Sequence, residues 1–160
     1  TSIGGEDSIR ILKYLDKTTG DIEVMLNSGG GDITSGFAIH DAIKMCNNPI
    51  TIMVIGSAMS IATIILQAAD KRTATKYSRF MIHRGGMEVE GHFTDVKRAV
   101  AENEELDKIC ANIYLDRINE INPDFKMSQV QKMMDFDSYF SADKALELGL
   151  IDEIDGEIQE

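Results

Sequence analysis

The chain has 160 residues, 43% hydrophobic and 27% charged, which suits one domain over residues 1–160 with a single buried core and argues against disorder. Acidic residues outnumber basic ones by 27 to 16, a formal net charge of -11, so phosphate backbones and anionic lipid are repelled, and neither nucleic acid nor a membrane surface is expected as a partner. The longest apolar run, Ile61–Ala69, is broken by Thr63 and Gln67 and falls short of the about 20 residues a membrane span needs.

Residues 6–17 carry Ile9, Leu12 and Leu15 at helical spacing, and after the turn Thr18-Thr19-Gly20-Asp21 the alternating Ile22–Leu26 predicts a strand. A glycine-rich stretch, Asn27-Ser28-Gly29-Gly30-Gly31-Asp32, leads into a predicted helix from Thr34 to Cys46 that Asn47-Asn48-Pro49 ends. Ile50–Ile55 is apolar on both parities, as in a central parallel strand with helices on both faces. Gly56-Ser57-Ala58-Met59-Ser60 then opens an apolar helix over Ile61–Ala69, a second strand-to-helix turn. Short strands are predicted at Thr73–Lys76 and Arg79–His83, and a loop or hairpin at Gly85–Gly91. From Thr94, read as an N-cap, a helix runs to Ile118 with Val96, Val100, Leu106, Ile109, Ile113 and Leu115 near one broad face. It would be about 37 Å long, comparable with the whole domain, so part of it projects, which suits self-association. Ser128-x-x-Gln131 predicts a capped short helix, Ser141–Leu148 another with Gly149 behind it, and Leu150–Ile154 a last strand. The alternation of strands and helices predicts an α/β fold.

Cys46 and Cys110 lie far apart without C-x-x-C spacing, both inside predicted helices. They read as buried thiols of a reducing compartment, with no disulfide, metal or cofactor expected. The N-terminus has neither the basic nor the apolar part of a secretory signal, and the absence of an initiator Met suggests a trimmed chain. A cytoplasmic location is expected.

Ser60 follows a strand and opens a buried helix, where unpaired N–H groups and the positive dipole end stabilise an anion. That placement suits a nucleophile with the Ile61 N–H as one oxyanion donor and Gly30 as a source of the second. The same residues also suit a crowded helix start in which Ser57, Ala58 and Ser60 merely cap and pack. A serine needs a base, and the three histidines are His40, His83 and His92. His40 lies within a helix and His92 in a loop, whereas His83 ends an apolar strand, the position at which α/β proteins assemble sites. The orienting carboxylate is open among 27 acidic residues; Asp137, near Tyr139 and Phe140, is one candidate.

Asn27–Asp32 with Gly36-Phe37-Ala38-Ile39, then Gly56–Ser60, Met81-Ile82-His83, and Asp137–Ala142 through Gly149–Asp152 resemble, in order and interval, the proteolytic subunit of the Clp protease family. The resemblance implies Ser60 as nucleophile, His83 as general base, Asp137 as the acid holding the imidazole, and Gly30 and Ile61 as oxyanion donors. It implies a crotonase-like spiral of β-β-α units with a projecting handle helix, needing no metal or cofactor. It also implies a serine endopeptidase that hydrolyses unfolded polypeptides or short peptides inside a chamber of heptameric rings, up to a tetradecamer, with an ATP-dependent Clp-type unfoldase as partner. The family has proline where Gly29 stands, glycine at Ala62, and Gln-Pro at Arg84-Gly85, so an altered handle is expected. The chain starts near the family's first helix, so the segment that gates the axial pore and supports unfoldase docking is expected to be missing. Three other readings compete. One is a catalytically weak ring subunit that assembles with another peptidase. Another is an acyl-CoA hydratase or isomerase of the same fold, and the third a serine-lysine peptidase using Lys71 or Lys76.

Overall fold

In a computed structural model the described residues are 2–15 and 19–155, with only the backbone described for Ile9 and Leu12. The elements in chain order are β1 (Ser2–Ile3), α1 (Gly5–Leu15), β2 (Ile22–Ser28), β3 (Gly30–Gly31), α2 (Ile33–Met45), β4 (Ile50–Met59) and α3 (Ile61–Gln67). They continue with β5 (Lys71–Thr75), β6 (Arg79–Ile82), α4 (Phe93–Asn119), α5 (Met127–Met134), β7 (Ser138–Ser141), α6 (Ala142–Leu148) and β8 (Glu153–Asp155). The expected α/β architecture is present. The far end of the helix expected over 6–17, and the Ile9 and Leu12 side chains that suggested it, lie outside the described residues.

The sheet is built on β4, which is longer than its apolar run because Gly56, at φ 89, lets the chain bend and carry on to Met59. β2 lies parallel to β4 along one side. Along the other, Thr51–Val54 pair with β5 and Ser57–Met59 pair with β6, both parallel. β8 extends the sheet beyond β5, and β7 closes it antiparallel beyond β6, giving the order β7-β6-β4-β5-β8 with β2 on β4. A separate two-stranded ladder joins β1 to β3. Ile50, Ile52, Val54 and Ala58 of β4 pack with Ile61, Ala62, Ile64 and Leu66 of α3 and with Phe80 and Ile82 of β6 in one core.

Several expectations are corrected. The second sheet face is not sealed by helices: Glu23, Met25 and Asn27 of β2 are exposed and Thr51, Met53 and Ile55 of β4 only half-buried. The glycine-rich stretch is partly strand, and the segment 138–141 is a strand that the aromatic pair alone did not reveal. Gly85–Gly91 is a loop without strand pairing, the first of the two forms expected for it. α4 starts with His92 at its N-cap, and that side chain makes no capping bond, so Thr94 lies inside the helix. The buried face of α4 is Asp107, Cys110, Ala111, Tyr114 and Ile118, not the Val96-to-Leu115 stripe, in which Val100 and Ile109 are exposed. No residue before Asp107 is buried, so the first half of this about 40 Å helix projects as expected. α5 is capped two residues early, by Lys126 N–H donating to Gln129 Oε1 at 2.9 Å. Cys46 is the half-buried C-cap residue of α2, while Cys110 is buried; both are free.

Ser141 caps α6 as predicted, its Oγ accepting the Lys144 N–H at 3.3 Å, and Gly149 ends that helix at φ 82. Leu150 and Ile151 are buried ahead of the last strand, which begins later than expected, at Glu153. Among the described residues, no helix is long and apolar enough to cross a membrane.

Candidate active site

The parallel register of β4 on β6, Ser57 to Arg79 and Met59 to Met81, places the residue after β4, Ser60, beside the end of β6. Its N–H donates to the Met81 carbonyl at 2.8 Å. The antiparallel register of β6 on β7 runs from Arg79–Ser141 to Ile82–Ser138. Carried one residue further, that register sets His83 opposite Asp137. Three adjacent strands thus end on three polar side chains.

These side chains meet. Ser60 Oγ lies 2.8 Å from His83 Nε2, and His83 Nδ1 lies 3.1 Å from Asp137 Oδ1. The imidazole is 27% and the carboxylate 58% exposed, so the site is open to a substrate arriving from solvent. Asp137, left open by composition and implied by the family resemblance, lies opposite His83 in that register.

Ser60 is the sole non-glycine residue with positive φ among the described residues, at φ 55 and ψ -132. Such a conformation costs on the order of 1–3 kcal/mol and persists only where the surroundings impose it. Two sets of contacts do so. The Thr63 Oγ1 hydroxyl donates to the Ser60 carbonyl at 2.6 Å, and Thr63 Oγ1 also bonds Tyr114 OH. Because the single threonine proton is spent on that carbonyl, Tyr114 is the donor, and burial holds its phenol above the usual range, keeping it protonated. From the other side Gly30, at φ 100, packs so closely that a Cβ there would stand 2.7 Å from Ser60 Cβ and 2.9 Å from the Met59 carbonyl oxygen. Tyr114 was not singled out from the sequence, because its partner lies 51 positions away.

Ile61 opens α3, and its N–H, like any at a helix start, has no acceptor within the helix. Gly30 N–H donates to Ser28 Oγ at 3.2 Å, so in this state it is turned onto a side chain. A cavity of about 590 Å³ adjoins Ser60 and His83, bordered by Gly31, Asp32, Ile61, Ile64, Cys110 and Tyr114. Burial first, then the Asp107 charge, pushes the Cys110 thiol at its edge up to about 12, so that thiol carries no thiolate at neutral pH.

The other candidate bases lie elsewhere. His40 Nδ1 faces Asp41 Oδ1 at 3.1 Å on α2, and His92 is exposed. Lys71 pairs with Glu153 at 2.6 Å, and that hydrogen bond and charge hold its ammonium above the usual value. Lys76 is exposed in the turn after β5. None of these borders the cavity. Among the described residues, no three His, Cys, Asp or Glu side chains converge to hold a metal ion.

The sequence profile of the Clp protease family matches residues 5–157. The chain belongs to the Clp protease family. It is 32% identical over 160 aligned positions to the ATP-dependent Clp protease proteolytic subunit 1 of Chlamydia abortus, an alignment covering 96% of this chain and 81% of that protein. It is 33% identical to the subunit of the same name from Protochlamydia amoebophila, covering 95% and 74%. The ATP-dependent Clp protease proteolytic subunit of Chlorella vulgaris is 31% identical, with 91% and 72% covered. Membership in the Clp protease family places the chain among the proteases, and the matched stretch contains Ser60, His83 and Asp137.

Proposed function

We propose that the chain is a serine endopeptidase in which Ser60 is the nucleophile, His83 the general base and Asp137 the group that orients it. Ser60 Oγ attacks a peptide carbonyl carbon as His83 Nε2 takes its proton, and the imidazolium is stabilised by Asp137 across Nδ1. The tetrahedral oxyanion is received by the N–H groups of Ile61 and Gly30. The long bond from Gly30 to Ser28 Oγ gives way to it, because a charged oxygen is the stronger acceptor. His83 then hands the proton to the leaving amine, and water, deprotonated by the same imidazole, releases the acyl group from Ser60.

The observation that carries this reading is the 2.8 Å contact between Ser60 Oγ and His83 Nε2, made with His83 Nδ1 facing a carboxylate. The substrates are unfolded polypeptides or short peptides, which can enter an open site as extended chain. The projecting half of α4 and the uncovered face of β2 and β4 support assembly into heptameric rings enclosing the site, singly or stacked as a tetradecamer. The names of the relatives support an ATP-dependent unfoldase as the partner that delivers substrate.

A serine-directed fluorophosphonate tests the chemistry. The wild-type chain should be labelled once, and Ser60→Ala and His83→Ala should each abolish labelling while leaving the folded mass unchanged. Labelling that survives in Ser60→Ala would refute the assignment.

A further inference from the structure

His83 and Asp137 meet through a single 3.1 Å contact whose carboxylate is more than half exposed. An exposed ion pair of this kind holds little by itself, so the alignment of the imidazole must come from the backbone segments that carry the two residues. Beyond Ile82 and before Ser138 the β6–β7 ladder has ended, and another set of contacts takes over. The Arg84 N–H donates to the Met134 carbonyl at 2.9 Å. The Arg84 guanidinium closes on the same loop, with Nε 3.0 Å and Nη2 2.9 Å from Asp135 Oδ1. Its third nitrogen, Nη1, lies 3.6 Å from Asp107 Oδ2 on α4.

Asp107 is itself buried, with 6% of its side chain exposed, and its Oδ1 accepts the Gly85 N–H at 2.9 Å. Asn103, one turn earlier on α4, donates from Nδ2 to the Gly85 carbonyl at 3.3 Å. The residue after the base is therefore bound to the loop two residues before Asp137, and it and Gly85 are bound to one face of α4. A buried carboxylate left without its cation is costly, so the three-residue cluster has one favoured arrangement.

We propose that Arg84, acting through Asp135 and Asp107, is a positioning residue that fixes His83 against Asp137. Arg84 does not border the cavity beside Ser60. The inference rests on the assignment of Ser60 and His83 made above.

Steady-state hydrolysis of a short peptide by wild type, Arg84→Gln, Asp135→Asn and the double variant tests it, with folded state and assembly checked by melting temperature and native mass. Misplacing a catalytic group by about 1 Å costs on the order of 100-fold, so each single variant should lose about 10- to 100-fold in kcat with KM within twofold. The double variant should be no worse than the poorer single one, because the pair acts as a unit. Arg84→Lys, which keeps the charge and loses the two-nitrogen grip, should recover part of the loss. Asp135→Asn, on an exposed carboxylate, keeps the test decisive if Arg84→Gln fails to fold. Wild-type kcat in a folded single variant, or a loss that appears in KM alone, would overturn the inference and leave the Ser60 assignment standing. A wild-type chain that hydrolyses nothing and is not labelled at Ser60 would remove that assignment, and the inference with it.

Discussion

Gly36 shows how closely the residues around the nucleophile are fitted. A Cβ at that position would stand 2.1 Å from Ile61 Cγ1, inside any tolerable contact, so Gly36→Ala must displace the residue whose N–H is assigned to the oxyanion. Overpacking of this kind costs about 1–3 kcal/mol. The denaturant midpoint of Gly36→Ala should fall accordingly and its kcat should fall with it. At Gly29→Ala, where nothing lies within 4 Å of the added atom, stability should stay within about 0.5 kcal/mol of wild type. Of the site, Ser60 and His83 could be singled out from sequence because each follows an apolar strand. Residue chemistry alone left Asp137 open among the acids; the family resemblance implied it, and the strand register shows why it meets His83, 54 positions away in chain. Tyr114 and Arg84 were illegible because each acts on a segment remote in sequence, and no periodicity reports such a contact.

At the scale of elements, the end of α3, β5 and the turn before β8 are tied by Arg72, which is 1% exposed. Its guanidinium bonds Asp152, Gln67 Oε1 at 2.7 Å and the Gly149 carbonyl at 2.9 Å. Burial alone would raise the Asp152 carboxyl, but the hydrogen bonds from the Arg72 side chain and backbone, together with its charge, outweigh that and hold it below its ordinary value. A carboxylate depressed in the folded state stabilises above its unfolded value of 3.8, and that stabilisation is lost as pH falls through the folded value. Asp152→Asn should cost about 3 kcal/mol at pH 7, the lower end for a broken buried pair because the carboxylate is partly exposed. It should also flatten the loss of stability on acidification to about pH 3, as measured by urea midpoints across pH. The main elements of the sheet and helices were readable from apolar period and from caps such as Ser141. The strands at Gly30–Gly31 and Ser138–Ser141 were not, because glycine pairs and a four-residue polar-aromatic stretch carry no alternation. The buried face of α4 was misassigned because, apart from Ile118, its seam is made of Asp107, Cys110, Ala111 and Tyr114 in place of large aliphatic residues. Asp107 is inward only because Arg84 and Gly85 meet it there.

For the molecule as a whole, the apolar residues that α4 leaves outside, Phe93 at 81% and Ile109 at 46% exposure, and the open face of β2 and β4 are surfaces that a lone chain leaves wet. A net charge of -11 opposes close approach of copies, so the proposed assembly would rest on apolar contact and should strengthen as salt screens the repulsion. Under the proposed assembly, enclosure would have a chemical purpose, since the Ser60–His83 contact is only part-buried in a single chain and broad peptide hydrolysis is safe only behind a wall. Assembly and the Ser60–His83 pair are proposed together to make a peptidase. Native mass measurement of the size-fractionated chain, with hydrolysis of a short unstructured peptide assayed in each fraction, tests that proposal most directly. The account predicts hydrolysis in the fraction of ring mass and none there in Ser60→Ala; a monomer that hydrolyses nothing, or a ring whose rate survives loss of the Ser60 hydroxyl, would contradict it.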